Sequence, residues 1–204
     1  MITRTSIINK IFETYGFETY LEIGVRNRTE NFDLIKSTIK EGVDPMPITP
    51  VNYKVTSNEF FKNYVGEKKY DVIFVDGLHT KEQSYIDVIN SIKHLNEDGF
   101  IVMHDCNPPT EYHIRSHNEY LRRGGEWNGD VFEAFIRLKT ELKDWNCFVV
   151  DEDFGCGVIT KRKLKKQFNP LDNINENITW DYFDENRKNL LDLLSFDEYD
   201  KLFE

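Results

Sequence analysis

Short apolar runs alternate along this chain with segments in which apolar residues recur every three to four positions. The two patterns are clearest in six segments: 6–15, 80–95 and 130–142 with helical spacing, and 20–25, 71–75 and 100–103 as apolar runs. Apolar spacing of three to four residues predicts amphipathic helices, and short apolar runs bounded by turn residues predict buried strands. Helices that alternate with strands predict a parallel sheet covered by helices on both faces.

Weaker patterns complete the predicted fold. They predict two short strands at 42–45 and 53–56 and two helices at 31–39 and 59–65. They also predict a late antiparallel strand pair, 146–150 with 155–160. The predicted fold class is α/β: a doubly wound, mostly parallel, seven-stranded Rossmann-like sheet with a C-terminal antiparallel hairpin and appended C-terminal helices.

The composition changes near residue 165. Residues 167–180 are polar and loop-like, whereas 181–194 and 196–203 have the spacing of helices. We predict a main domain over 1–165 and a helical extension over 166–204 that packs on the same domain. Self-association through these helices is the alternative interpretation.

Charge and composition narrow the classes of partner. The 204 residues are 39% hydrophobic and 14% aromatic, which suits one folded body with a real core. A net charge of -10 and a pI of about 5.1 argue against nucleic-acid and membrane partners, which require a basic face. In so acidic a chain, the basic run 161–166 is more typical of a solvated connector than of a nucleic-acid-binding patch. A small neutral or cationic substrate fits this charge most simply, and anionic substrates stay open because a local pocket can differ from the net charge.

Cysteine content and apolar run length bear on the compartment. The three cysteines include no CxxC pair, a pattern that disfavours structural disulfides and fits a reducing compartment. The first residues carry no signal-type apolar run, and no run is long enough to span a bilayer. We therefore expect a soluble, cytoplasmic protein, with homo-oligomerisation left open.

Candidate chemistry follows two of the predicted strands. The run 71–75 ends in Asp76-Gly77-Leu78-His79, and 100–103 ends in His104-Asp105-Cys106-Asn107. Ligands of parallel open sheets bind at the carboxyl ends of the strands, so these polar groups are predicted to face one crevice. The alternative is that they are ordinary strand-end acids and buried structural histidines.

A second set of candidates surrounds the first strand. Gly24 would let a ligand approach the backbone, although one glycine is a weak match to a dinucleotide-binding loop. Asp44 follows about 20 residues later, where nucleotide-binding folds place a ribose-binding carboxylate. A turn-forming role before Pro45 is the other interpretation. Ser57 or Asn58 would cap a helix, and either could also face an adenine ring.

Residues 110–128 interrupt the alternating pattern. This segment is polar and contains His113, Arg115, His117 and a Gly124-Gly125 pair. A long polar segment within a compact domain is typical of functional or mobile loops. We interpret it as a substrate-facing insertion, the alternative being a merely solvated loop.

These motifs together resemble a known family. YLEIGV, GVDP, YDVIFVDGLHT and GFIVMHDCNP, in this order and spacing, resemble class I S-adenosylmethionine-dependent methyltransferases. Within that class, the resemblance is to the small methyltransferases of glycan and antibiotic gene clusters, including macrolide-sugar O-methyltransferases and cephalosporin hydroxylase-type proteins. It covers residues 20–160 and implies S-adenosyl-L-methionine as the cofactor. The implied cofactor contacts are Glu22, Gly24, Arg26, Asp44, Ser57, Asn58 and Asp76.

The resemblance also implies a catalytic centre. In metal-dependent members, an acid after one strand is followed three positions later by a histidine base, which Asp76 and His79 match. Those members have Glu-Asp after the next strand, where this chain has His104-Asp105. The implied catalytic residues are His79, His104 and Asp105, and the implied ligands of a divalent Mg²⁺ or Mn²⁺ are Asp76, His104 and Asp105. A histidine ligand favours Mn²⁺, Fe²⁺ or Zn²⁺ over Mg²⁺.

The expected function is therefore O-methylation of a hydroxyl on a small substrate, such as a sugar or glycan precursor. His79 would be the base, since histidine has an ordinary pKa of about 6.5. Two alternatives remain: a nucleotide-binding enzyme of other chemistry, such as a dehydrogenase, or a non-catalytic binding protein that keeps the fold.

Overall fold

The computed structural model describes residues 2–172 and 178–203. Within these residues the chain forms six strands and seven α-helices: α1 (Arg4–Tyr15), β1 (Thr19–Ile23), β2 (Ile39–Val43), α2 (Ser57–Asn63), β3 (Tyr70–Val75), α3 (Lys81–Lys93), β4 (Leu95–Met103), α4 (His117–Arg123), α5 (Val131–Glu141), β5 (Asn146–Val150), β6 (Cys156–Thr160), α6 (Trp180–Leu190) and α7 (Phe196–Asp200). Short 3-10 turns occur at Arg28–Glu30, Phe32–Leu34 and Glu111–Ile114. None of the described helices combines the length and apolar character needed to cross a membrane.

The strands form one mixed sheet in the order β2-β1-β3-β4-β6-β5. The first four strands are parallel, and β6 runs antiparallel to both β4 and β5. The carboxyl ends of β1 to β4 therefore lie along one edge of the sheet, where α/β proteins bind ligands. The predicted α/β class with a mostly parallel sheet is confirmed.

The predicted count of seven strands is wrong, because residues 53–56 do not form a strand. Tyr53 makes only an isolated parallel bridge to Val43. The Gly42 backbone donates a hydrogen bond to the Asn52 side chain at 2.8 Å. A side chain therefore accepts the bond that the backbone of a paired strand would accept. Thr56 then caps α2 by accepting from the Glu59 backbone at 3.2 Å, in place of the predicted Ser57 or Asn58.

The predicted helix over 31–39 is also wrong. Two 3-10 turns occupy 28–30 and 32–34, and β2 begins at Ile39. Between the turns, Asn31 has a φ of -149°, and its buried side chain donates to Glu22 at 2.9 Å. This side-chain bond competes with a continuous helical ladder, as is common for Asn.

Each face of the sheet has its own hydrophobic core. On β3, Ile73 and Val75 pack in the core under α3 and α5, whereas Val72 and Phe74 pack in the core under α1. This is the expected consequence of side chains that alternate between the faces of a strand. All three cysteines are free and buried, so they serve as core residues.

The last two helices contribute to both cores. Phe183 of α6 is fully buried, with its ring centroid 4.3 Å from that of Phe132 on α5. Tyr199 of α7 is also buried, and its hydroxyl donates to the carbonyl of Ile7 at 3.0 Å. The predicted loop over 167–180 includes residues 173–177, which lie outside the described residues. The division at 165/166 stays a prediction.

We predict that the helices beyond residue 178 unfold together with the sheet. Phe183→Ala should lower the free energy of unfolding by about 3–5 kcal/mol, because it leaves a cavity in the core. Its exposed neighbour Tyr182 supplies the matched control, and Tyr182→Ala should change stability by less than about 0.5 kcal/mol. Chemical denaturation followed by circular dichroism measures both. A wild-type stability retained in Phe183→Ala would show that the extension is not integral.

Candidate active site

A cleft of about 960 Å³ opens at the carboxyl edge of β1 to β4. The structure brings all the sequence-predicted site residues to its lining: Glu22, Gly24, Arg26, Asp44, Ser57, Asn58, Asp76, His79, His104 and Asp105. The insertion contributes the opposite wall with residues of α4 and of the segment 125–128. The cleft therefore has a first-loop half and an insertion half, with the polar ends of β3 and β4 between them.

Gly24 allows the first loop to meet the end of β3. Its φ is +90°, and a Cβ atom there would lie 2.0 Å from the Asp76 carbonyl oxygen. The backbone of Asp76 donates to Ile23 at 2.9 Å, and that of Gly24 donates to Val43 at 2.8 Å. A residue with a side chain would separate these strand ends, which explains the single glycine of the loop.

Glu22 lies beneath this loop. Its carboxyl group accepts hydrogen bonds from the Tyr20 hydroxyl at 2.6 Å and from Asn31 Nδ2 at 2.9 Å. Burial raises the pKa of Glu22 to about 8, and the bonds from Tyr20 and Asn31 only partly offset that effect. A protonated Glu22 thus joins β1 to the following 3-10 turn and supports the floor of the cleft.

Asp44 has the geometry of a turn residue. Its Oδ1 accepts from the Met46 backbone at 2.6 Å, and its Oδ2 accepts from the Arg26 backbone at 2.8 Å. The first bond is the local one expected for an Asp before a turn. Each carboxylate oxygen keeps a second lone pair, so these bonds leave the predicted ribose contact open.

Ser57 and Asn58 contact Gln83 of α3. Gln83 Nε2 lies 3.3 Å from Ser57 Oγ, and Asn58 Nδ2 donates to Gln83 Oε1 at 3.1 Å. Gln83 also donates to Asp87 at 2.8 Å, which fixes its amide. The predicted adenine contact of Ser57 and Asn58 stays a prediction.

Four polar side chains converge at the ends of β3 and β4. Asp76 Oδ1 lies 3.3 Å from His79 Nε2 and 3.5 Å from His104 Nδ1. Asp105 Oδ2 lies 3.1 Å from the Nδ1 atoms of both histidines. One ligand atom each of Asp76, His79 and Asp105 lies within 4.8 Å of the others, close enough to share a metal ion. These three residues differ from the predicted ligands Asp76, His104 and Asp105 in containing His79 in place of His104.

Mutual attraction fixes the charges of this cluster. Burial alone would lower the pKa of His79, but attraction by Asp105 and Asp76 outweighs it and raises that pKa to about 9. The pKa of His104 is raised well above its usual range against the same opposing burial. Burial would raise the pKa of Asp76, yet the two histidines hold it well below its usual range. The cluster is therefore a set of paired charges.

Two residues that sequence reasoning missed complete the cluster. Arg4, the first residue of α1, donates from Nη1 to Asp76 Oδ2 at 2.7 Å and from Nε to Asp153 Oδ2 at 2.9 Å. Asp153 lies in the β5–β6 turn, and its Oδ1 is 3.6 Å from His104 Nε2. The φ angles of Asp153 and Phe154 are +51° and +64°, an uncommon conformation for residues other than glycine. No local sequence pattern indicates either contact.

The end of the insertion also bears on the cluster. Asn128, which is buried, donates to Asp105 Oδ1 at 2.5 Å, and the Trp127 carbonyl lies 2.8 Å from His79 Nδ1. Gly129 permits this approach, because a Cβ atom there would lie 1.8 Å from the His79 carbonyl oxygen. A glycine directly after a polar insertion was the available sequence signal.

Some polar atoms of the cluster lack a hydrogen bond. Both ring nitrogens of His104 and Oδ2 of Asp105 are buried without a partner of acceptable geometry, although the ion-pair distances between them are short. Buried polar atoms are nearly always satisfied, so unsatisfied ones indicate a ligand, an ion or ordered water. The cluster thus has the properties of a binding site.

We predict that the close approach at Gly24 is required for folding. Gly24→Ala should cost several times more stability than Gly66→Ala, which is a matched control. Both glycines have positive φ, but nothing lies within 4 Å of a Cβ atom at Gly66. The control should lose only about 1–2 kcal/mol for its left-handed backbone. Equal losses for the two variants in thermal unfolding would contradict the steric explanation.

Comparisons with known proteins agree with this fold. A profile of the family described as "Methyltransferase domain" matches residues 12–106. A putative caffeoyl-CoA O-methyltransferase from Staphylococcus aureus is 17% identical, with a TM-score of 0.56 over 79% of this chain and 85% of that one. An SAH-bound methyltransferase from Podospora anserina, PaMTH1, is 16% identical, with a TM-score of 0.50 over 80% of each chain. No curated protein sequence matches significantly.

At these identities, the structural similarity concerns the fold. The matched segment runs from α1 through the end of β4 and includes the first loop, Asp44 and the four-residue polar cluster. The chain therefore has the α/β fold of these two structures, and its residues 12–106 resemble a methyltransferase domain.

Proposed function

We propose that this protein is an S-adenosylmethionine-dependent methyltransferase that methylates a hydroxyl of a small acceptor, such as a sugar or glycan precursor. The observation that carries the proposal is the single cleft shared by the Gly24 loop, Asp44 and the cluster of Asp76, His79 and Asp105. The matching domain profile and the SAH-bound structural neighbour support S-adenosyl-L-methionine as the cofactor.

The proposed cofactor lies in the first-loop half. The methionine part would rest against Gly24, Glu22 and Arg26, and the ribose hydroxyls would bind the free lone pairs of Asp44. The adenine would lie near Ser57 and Asn58. The lining of the cleft by all these residues supports this arrangement. When bound there, the cofactor would supply the electrophilic methyl group, and the residues of the polar cluster would bind the acceptor.

The proposed chemistry requires the protein to orient the acceptor and accept its proton. The cofactor supplies the electrophilic methyl group, so catalysis depends on an in-line approach of the acceptor oxygen. His79 is the proposed base, because its ring is held by the Trp127 carbonyl on one side and by Asp76 on the other. Asp105 would orient both histidines, with which it shares contacts of 3.1 Å.

A divalent metal fits the same cluster. The unsatisfied atoms of His104 and Asp105, and the contacts of His104 Nδ1 with Asp76 and Asp105, support an ion-binding site formed by these three residues, with His79 left as the base. Mixed carboxylate and imidazole donors suit Mn²⁺, Fe²⁺ or Zn²⁺ better than Mg²⁺. Arg4 already occupies Oδ2 of Asp76, which leaves Oδ1 as the oxygen available to an ion. When bound, such an ion would polarise the acceptor hydroxyl as a Lewis acid.

His79→Ala should abolish turnover while cofactor affinity stays nearly unchanged. Loss of a general base typically costs about 10²–10⁴-fold in rate. Calorimetric titration with S-adenosylhomocysteine measures binding, and release of S-adenosylhomocysteine from S-adenosylmethionine in the presence of a sugar panel measures turnover. His94→Ala is the control, because His94 follows α3 and contacts the Lys68 carbonyl outside the cleft.

Three outcomes discriminate between the hypotheses. Unchanged turnover in His79→Ala would refute the base. Binding of NAD without S-adenosylhomocysteine would favour a dehydrogenase. Failure of the wild type to bind either compound would favour a non-catalytic protein that keeps the fold.

The metal proposal has a readout independent of turnover. Wild-type protein should bind Mn²⁺, detected by loss of the free-ion electron paramagnetic resonance signal. Asp105→Asn should weaken binding at least about 10–100-fold, the loss typical when a residue that only orients a metal ligand is removed. Asp33→Asn is the control, because Asp33 pairs with Arg28 outside the cluster. Absence of Mn²⁺ binding to the wild type would end the metal proposal and leave the transferase proposal intact.

A further inference from the structure

We infer that the acceptor binds against an aromatic wall formed by His117, Tyr120 and Trp127, and that the cleft selects an uncharged or amino-bearing hydroxylated ring over a phosphorylated or carboxylated one. This inference rests on the proposed transferase function and adds to it a place and a substrate class. It is carried by the insertion, whose role the fold alone does not explain.

The aromatic wall consists of nearly parallel rings. The Trp127 ring lies 4.6 Å from the Tyr120 ring at 11° and 5.0 Å from the His117 ring at 13°. All three residues line the cleft and are partly exposed. The His79 ring lies 5.5 Å from Trp127 at 19°, so the wall adjoins the proposed base. The wall therefore links the insertion half of the cleft to the proposed base.

Arg115 holds the wall in place. Its Nη1 donates at 2.7 Å to the carbonyls of both Tyr112 and Glu126, and its Nη2 donates at 2.6 Å to that of Gly124. The indole Nε1 of Trp127 donates to the Arg115 carbonyl at 2.7 Å. The insertion is therefore an ordered substructure, so binding would cost little further ordering of the protein.

The charge of the cleft disfavours anionic acceptors. Among the described residues, six acidic side chains and only two arginines line it: Glu22, Glu30, Asp44, Asp76, Asp105 and Glu126, with Arg4 and Arg26. Within the polar cluster, Asp76 and Asp105 are balanced by His79, His104 and Arg4. With Glu22 protonated, the remaining acids of the lining are Glu30, Asp44 and Glu126, against the single arginine Arg26. Arg4 already binds Asp76 and Asp153, and Arg26 follows Gly24 in the first-loop half. Arg122 and Arg123 of α4 are exposed and do not belong to the cleft lining.

These two properties define the substrate class. A phosphate or carboxylate on the acceptor would lose hydration in the insertion half without gaining a free cation there. Aromatic side chains instead attract apolar ring faces and, through their negative π-faces, amino cations. A neutral sugar ring or an amino sugar satisfies both conditions, whereas a sugar phosphate or uronate fails the charge condition.

The test measures binding of four probes by saturation-transfer NMR with saturating S-adenosylhomocysteine. The probes are methyl glucoside, methyl glucosaminide, glucose 6-phosphate and glucuronate. The first two should bind at least about tenfold more tightly than the last two. Tyr120→Ala should weaken the first two about three- to tenfold, as expected for loss of one stacking contact. Tyr120→Phe should restore them, and Tyr182→Ala on α6 should have no effect.

A charge reversal gives a second, independent arm. Glu126 lines the cleft with an exposed side chain, and Glu126→Lys should raise affinity for glucose 6-phosphate relative to methyl glucoside. Equal or tighter binding of the anionic probes to the wild type would overturn the inference. So would unchanged binding in a folded Tyr120→Ala, or absence of binding by all four probes. If S-adenosylhomocysteine itself fails to bind, the transferase proposal fails instead.

Discussion

Compensation of buried negative charge is the constraint on which the site depends. Asp76 and Asp105 share His104 as a partner, and Asp153 approaches the same histidine from a third segment of the chain. Carboxylates withdrawn from water are stable only when cations and hydrogen-bond donors surround them. Here His79, His104 and Arg4 provide that positive charge. The first helix, two strand ends and the β5–β6 turn are thereby fixed around the cleft.

The same constraint links structure to the proposed chemistry. Histidines that are held as cations in the cluster must lose a proton before one of them can act as a base. A cation bound at Asp76 and Asp105 would lower the pKa values of His79 and His104, since it competes with the histidines for the same carboxylates. Cofactor, acceptor and metal would each alter this balance, so the cluster is the point at which their binding would be coupled.

Local sequence patterns correctly predicted the elements whose structure depends mainly on residues close together in the sequence. The apolar runs of β1, β3 and β4 predicted a parallel sheet with polar strand ends, and the structure brings all ten candidate residues to one cleft. The patterns were misleading where side chains replace backbone bonds, as Asn52 does beside Tyr53 and Asn31 does between its two turns. Arg4 was beyond such reasoning, because its partners are 72 and 149 positions away.

The position of Asp153 has a consequence for the order of folding. Its turn joins β5 to β6, which pair with each other, and β6 also pairs with β4. During synthesis, a chain that ends before this turn can form the parallel strands but leaves His104 and Arg4 without one carboxylate. Contacts between distant segments form late, because they close long loops. We therefore expect the cleft to become fully ordered only after the C-terminal strands have docked.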